Sequence, residues 1–201
     1  MSVEPTFAEL LAPHATGGAA ERLVRYGELL ERWAARHNLV SWHGREDLVR
    51  RHILDALAGA PLVGTPGGRL LDVGSGAGLP GVPLLAAAPS WQGVLLEPRQ
   101  KRWAFLRLVV RELGLSATVE RSRYQEYDGG PFELVTARAV GGTGELLGWA
   151  SGRLVSGGWI ALWTTEDGER ELRELAGWRV LSSPLPSLSR GRLVQLAPCF
   201  T

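Results

Sequence analysis

Residues 69–97 constrain this chain more than any other stretch. A short apolar run, Leu70 to Val73, reads as a buried strand. Glycines follow at alternate positions, Gly74, Gly76 and Gly78. So dense a glycine cluster weakens a fold unless the backbone needs it. Such a turn bends sharply after the strand and lets a ligand approach with no Cβ in the way. Pro80 and Pro83 lack backbone N–H donors and are tolerated only in the first turn of a helix. They set a helix start close to Leu79–Gly81, with the helix running over Val82 to Ala88. A second apolar run, Val94 to Leu96, ends on Glu97.

An acidic residue about twenty positions beyond a glycine turn can accept hydrogen bonds from both ribose hydroxyls. The unit therefore predicts a nucleoside-containing cofactor with Glu97 on its ribose. Two cofactor classes use this geometry. Dinucleotides need G-x-G-x-x-G, with the pyrophosphate on the helix N-terminus. Here Leu79 occupies the place of the third dinucleotide glycine, which argues against that class. The spacing Gly74-x-Gly76-x-Gly78 resembles motif I of class I S-adenosylmethionine methyltransferases, whose cofactor has no phosphate. Asp72 and Glu97 suit a cofactor carrying a sulfonium and an ammonium. The bland alternative is a glycine-rich strand-to-helix turn with no ligand.

The chain has 201 residues, enough for one large domain or a domain with an extension. Its single cysteine, Cys199, excludes an intrachain disulfide framework and makes a Cys/His zinc site implausible, so no metal is expected. No uninterrupted apolar run approaches the ~18 residues of a membrane span, and Met1 to Leu10 does not read as a leader. A soluble, cytoplasmic protein without membrane contact is expected. Lys101 is the only lysine among 22 basic residues, the rest being arginines. That bias suits phosphate and base recognition, or simply GC-rich coding.

Before the core, a short helix is expected over Thr6–Leu11 and an amphipathic helix over Ala20–Arg36, with Leu23, Tyr26, Leu30 and Trp33 on its apolar face. A third helix is expected over Glu46–Ala60, with His52 and Asp55 one turn apart. Beyond the core, strands are expected at 69–73, 93–97, 117–120, 132–137 and 159–163, with helices at 99–113 and 145–154. A final strand pair is expected at 178–182 and 192–197. Strands alternating with helices imply right-handed crossovers and a mainly parallel sheet. The last pair, without a helix between, implies an antiparallel edge. Arg99, Lys101, Arg102, Arg107, Arg111, Arg121 and Arg123 make a local excess of cations, a candidate phosphate-contacting surface. Trp42 and Trp103 could stack on bases.

Several segments together are similar to one family. They are Asn38-Leu39-Val40-Ser41, Arg51-His52-Ile53-Leu54-Asp55-Ala56-Leu57 and the run from Asp72 to Leu84 containing Gly-Leu-Pro-Gly-Val-Pro. Further matches are Lys101 to Leu106, Glu112 to Leu115, Arg123 with Glu126, and Arg138-Ala139. They resemble the RsmG family, also called GidB, of bacterial small-subunit (16S) rRNA guanine-N7 methyltransferases. The resemblance implies an α/β class I methyltransferase fold, with a helical N-terminal extension over 1–62 and an S-adenosyl-L-methionine-binding domain over 63–201. It implies cofactor contacts at Gly74 and Leu79, on the turn that also holds Gly76 and Gly78. It adds contacts at Tyr124 and Gln125 near the adenine, and at Arg138 after the fourth strand. Small-subunit ribosomal RNA, or the 30S particle, would be the partner of a monomer. Guanine N7 has a free lone pair and no proton to lose, so positioning and electrostatics would suffice. Arg138 or Arg123 are the candidates for stabilising charge on the guanine O6 side. Two positions depart from the family pattern. Tyr124-Gln125 replaces a small residue and Glu, and a locally acidic loop, Thr164-Thr165-Glu166-Asp167, is expected where a Lys-Gly pair is usual. They keep open a methyltransferase of another substrate, or a non-catalytic RNA-binding module on the same fold.

Overall fold

The computed structural model describes residues 4–37, 39–64, 66–139 and 141–199; Asn38 of the family-like segment lies outside them. Seven strands form one sheet: β1 Arg69–Val73, β2 Gln92–Leu96, β3 Ala117–Glu120, β4 Phe132–Arg138, β5 Leu154–Thr165, β6 Trp178–Pro184 and β7 Gly191–Pro198. Their order is β3-β2-β1-β4-β5-β7-β6. The first five run parallel, and β7 lies antiparallel between β5 and β6. The order reverses between β1 and β4. In open α/β sheets that switch point leaves a crevice beyond the carboxyl ends of the strands, where ligands bind.

The sheet is covered on both faces, and its central strands are accordingly mostly apolar, with Asp72 and Thr136 the buried polar residues on them. One core joins Leu70, Leu95, Leu134 and Ala161 of the sheet to Leu84 of α5 (Gly81–Ala87) and to Phe105 and Val109 of α6 (Gln100–Leu113). The N-terminal helices enter the same core. α1 (Phe7–Leu11) begins with a capping box in which Thr6 and Glu9 exchange hydrogen bonds. α2 (Gly17–His37) buries Leu23, Tyr26 and Leu30 along one face, as its periodicity predicts. The other core lies between Leu71, Val135, Ile160 and Val194 of the sheet and Leu146, Leu147 and Ala150 of α7 (Thr143–Ser151).

Three expectations need correction. The third helix is not one continuous α-helix: it is α3 (Arg45–Leu48), a π-helical segment (Val49–Leu54) and α4 (Asp55–Leu57). The wider turn lets Val49, Ile53, Asp55 and Ala56 all be buried, which no single α-helical stripe would do. The fifth strand starts earlier than position 159. Phe132 pairs with Leu154 and Leu134 with Trp159, so the extra residues form a bulge in which Gly157 has φ 80°. The acidic stretch after β5 is not a loop. It opens α8 (Glu166–Arg173), whose first turn is capped by the Thr165 side chain accepting from the Gly168 N–H at 3.3 Å.

Candidate active site at the carboxyl end of the sheet

Two clefts open at the switch point and share Arg138 and Ala139. The cleft over β1 and β2, about 380 Å3, is lined by the glycine turn, Glu97, Arg99, Arg102, His52 and Arg138. The cavity over β4 and β5, about 260 Å3, is walled by Leu146, Leu162, Trp163, Thr164, Leu185 and Leu188 together with Arg138. Ala139, between them, has φ +53°, the one positive value at a non-glycine among the described residues. Such strain persists only where the surroundings hold it, and it clusters at functional sites.

The glycine turn is held from all sides. The Ser75 N–H donates to the Leu96 carbonyl at 2.9 Å, and the Gly78 and Leu79 N–H groups donate to the Ser75 carbonyl at 2.7 and 3.0 Å. From below, the buried Tyr26 hydroxyl of α2 donates to the Ala77 carbonyl at 2.8 Å. Burial pushes the Tyr26 phenol far up, so it stays a neutral donor. The glycines do different work. Gly76 (φ +58°) has room on its cleft side: a Cβ there would make only ordinary contact, at 3.7 Å, with Arg102 and the Gly74 carbonyl. Gly78 (φ +94°) is packed: a Cβ there would lie 2.5 Å from the Val82 side chain.

Glu97 is buried, and its two carboxylate oxygens accept from the Gly76 N–H at 3.0 Å and the Arg99 N–H at 2.7 Å. It thus ties the turn to the end of β2, and each oxygen keeps a further lone pair toward the cleft. Asp72, fully buried, accepts from the Thr136 hydroxyl at 2.7 Å and the Gly81 N–H at 3.3 Å. Burial outweighs these bonds and raises its pKa to about 6. The close approach needs Gly81, where a Cβ would lie 2.8 Å from Asp72.

Arg138, at the end of β4, donates from Nη2 to the Arg51 carbonyl in the π-segment at 3.1 Å, while Nη1 is buried without a partner. Burial lowers its pKa, and Asp55 acts against that shift. His52 meets the Ser41 carbonyl through Nε2 at 2.9 Å, and burial lowers its pKa as well. A carbonyl only accepts, so Nε2 carries the proton and the neutral ring leaves Nδ1 as an acceptor.

Of the residues singled out in the sequence, Gly74, Gly76, Leu79, Glu97 and Arg138 come together in the first cleft, and Gly78 supports the turn from behind. Tyr124, on the one-turn helix after Arg123, is buried in the second core with its ring edge-on to Trp149. Gln125 is exposed and donates to Glu145 of α7 at 3.3 Å. Arg123 is exposed and lines neither cleft. In the basic band, Arg107 and Arg121 lie over the Trp103 ring at 4.8 and 6.0 Å. The acids after β5 are paired, Glu166 with Arg190 and Arg192, and Asp167 with Arg170 and Arg190. Sequence reasoning left two features unseen, the β5-side cavity and the link between Asp55 and Trp163. Both rest on contacts across long stretches of chain.

The family described as rRNA small subunit methyltransferase G matches residues 19–182. A Stenotrophomonas maltophilia (strain K279a) protein named ribosomal RNA small subunit methyltransferase G is 38% identical over 183 residues, covering 89% of this chain and 85% of that protein. The protein of the same name from Nitrosomonas europaea is 46% identical over 112 residues, which cover 55% of this chain and 51%, about half, of the relative's own length. Among solved structures, precorrin-6Y C5,15-methyltransferase from Geobacter metallireducens GS-15 is similar with a TM-score of 0.61 at 17% identity, covering 71% of this chain and 87% of that one. At that identity the likeness speaks for the fold alone, an α/β methyltransferase fold with a mostly parallel sheet. Among the described residues no helix is long and apolar enough to cross a membrane, and no group of three or more His, Cys, Asp or Glu could hold a metal ion.

Proposed function

This chain belongs to the rRNA small subunit methyltransferase G family, and from that premise we propose that it transfers a methyl group from S-adenosylmethionine to guanine N7 in small-subunit ribosomal RNA. The observation that carries the reading is the pair of clefts meeting at Arg138. One suits the cofactor and the other a base. Gly76 leaves room for the ligand against the turn, Glu97 accepts the ribose hydroxyls, and Arg138, on the cleft wall, is the cation for the cofactor's carboxylate. The Tyr124–Gln125 turn, beyond β3, lines neither cleft, and its contact with the adenine rests on the family resemblance alone. When bound, the sulfonium supplies an activated methyl group.

The β5-side cavity supports N7 as the acceptor. Its lining holds no carboxylate and no imidazole among the described residues. A nucleophile that must first lose a proton would lack a base there, whereas N7 needs none. Arg138 is the cation beside this cavity, so the charge-stabilising role falls to it. Arg123, outside both clefts, belongs with the basic band. There, cations around the half-buried Trp103 suit RNA phosphates.

The test combines purified protein, labelled S-adenosylmethionine and small subunits from a strain lacking this modification. The expected result is label in N7-methylguanine at one site, mapped by reductive cleavage. Label in another base or in protein would overturn the substrate. Tight cofactor binding with no transfer would overturn the reaction and favour a binding-only module.

A further inference from the structure

Asp55 has no part in the chemistry above, yet it is wholly buried at the junction of the π-segment and α4. Its main-chain carbonyl accepts the Trp163 indole N–H at 2.6 Å, and its Oδ1 accepts the Ser187 N–H at 3.1 Å. Trp163 walls the β5-side cavity, as do Leu185 and Leu188, which flank Ser187. The edge of the indole packs against the helical extension: a Cβ at Gly59 would sit 2.7 Å from its ring. Arg138, a further wall, is bonded to the Arg51 carbonyl one turn earlier in the same segment. Asp55 Oδ2 and Arg138 Nη1, which form no ion pair, are both buried without partners. Burying a carboxylate with unused acceptor capacity is costly. Alanine at position 55 would leave the Ser187 N–H without its acceptor.

We propose that Asp55 is a positioning residue for the transfer: it fixes Trp163 and the 185–188 loop in one arrangement, so that the helical extension shapes the acceptor cavity. The proposal rests on the reading that this cavity takes the acceptor base. It is tested with Asp55→Ala and Trp163→Phe, using S-adenosylhomocysteine affinity, transfer rate at saturating cofactor, and thermal midpoint. Asp55→Ala, which takes the acceptor from the Ser187 N–H, is expected to hold S-adenosylhomocysteine within about threefold of the unaltered protein while transferring at least tenfold more slowly, a split that loss of folded protein does not produce. An unchanged rate would overturn the proposal. So would a rate and an affinity that fall together with the folded fraction. If Asp55→Ala does not fold, Trp163→Phe decides, because it removes one N–H donor. Slower transfer at unchanged affinity supports the clasp, and the unaltered rate overturns it. If the unaltered protein transfers nothing to small-subunit RNA, the substrate reading fails by itself. Exchange of the Ser187 amide in the unaltered protein then decides. Protection of at least a hundredfold over random coil supports the clasp, and exchange at the random-coil rate overturns it.

Discussion

The two clefts differ in how they are made. The β1-side cleft takes most of its lining from one short stretch, residues 74–102, with Leu39, Val40, His52, Arg138 and Ala139 completing it, and the groups of that stretch are largely backbone: a glycine turn and the N–H groups that bond Glu97 and Asp72. The β5-side cavity draws its walls from β4, α7, β5, α8 and the 185–188 loop, fastened by Asp55 from the N-terminal helices. A cofactor common to a fold can be held by local geometry. An acceptor peculiar to one family needs side chains gathered from far along the chain, and these can change without disturbing the turn.

The contrast is most easily broken at the glycines. Gly78→Ala places a methyl group against Val82 at a left-handed backbone position, so a stability loss of about 2–5 kcal/mol is expected from conformation and overpacking together. Gly76→Ala carries only the conformational part, about 1–2 kcal/mol, with its methyl group facing the cleft. Urea unfolding of both variants checks this. Equal losses would remove the distinction between a packed and an open side of the turn. Next in size is Glu97→Gln, which keeps one acceptor oxygen and loses the charge. Hydrogen bonds to charged groups are worth about 1.5–3 kcal/mol, so cofactor affinity should fall about ten- to a hundredfold by calorimetry. A change under about twofold would take Glu97 off the ribose.

What could be read beforehand follows the same division. The alternate glycines, the prolines at the helix start and Glu97 are adjacent in sequence, and their chemistry is stereochemical. The alternation of strands with helices and the antiparallel edge follow from similar local signals, whereas the order of the strands in the sheet does not. The π-segment was hidden because its composition suits an α-helix, and only the need to bury Asp55 with Ile53 shows the extra residue. α8 was hidden because Leu172 is its single buried residue. With no apolar stripe to read, its cap and its charge pairs hold it. His52 and Asp55 looked like neighbours on one face. The wider turn sends one to the β1-side cleft and the other beneath the β5-side cavity.

Two smaller effects sharpen the contrast. Asp72 has a folded-state pKa of about 6, above its ordinary value of 3.8. Its contribution to stability is therefore full below about pH 4 and is lost as pH rises through about 6. Asp72→Asn should remove that loss, changing the slope of stability against pH by up to about 1.4 kcal/mol per unit in this window. Urea midpoints from pH 4 to 7 check it, and identical slopes would mean Asp72 is not held in its raised state. The smallest effect concerns the RNA face. Arg107→Gln with Arg111→Gln should lower the slope of log affinity against log salt by a little under one, about 0.9, for each phosphate that an arginine had neutralised. An unchanged slope would leave both arginines on a merely solvated face.

The division of labour between the clefts is tested most directly by a crystal structure with S-adenosylhomocysteine bound. The account predicts the ribose on Glu97, the glycine turn against the ligand, the carboxylate directed to Arg138, and the β5-side cavity free for a base. A nucleoside lodged among Trp163, Leu185 and Leu188, with Glu97 untouched, would contradict it.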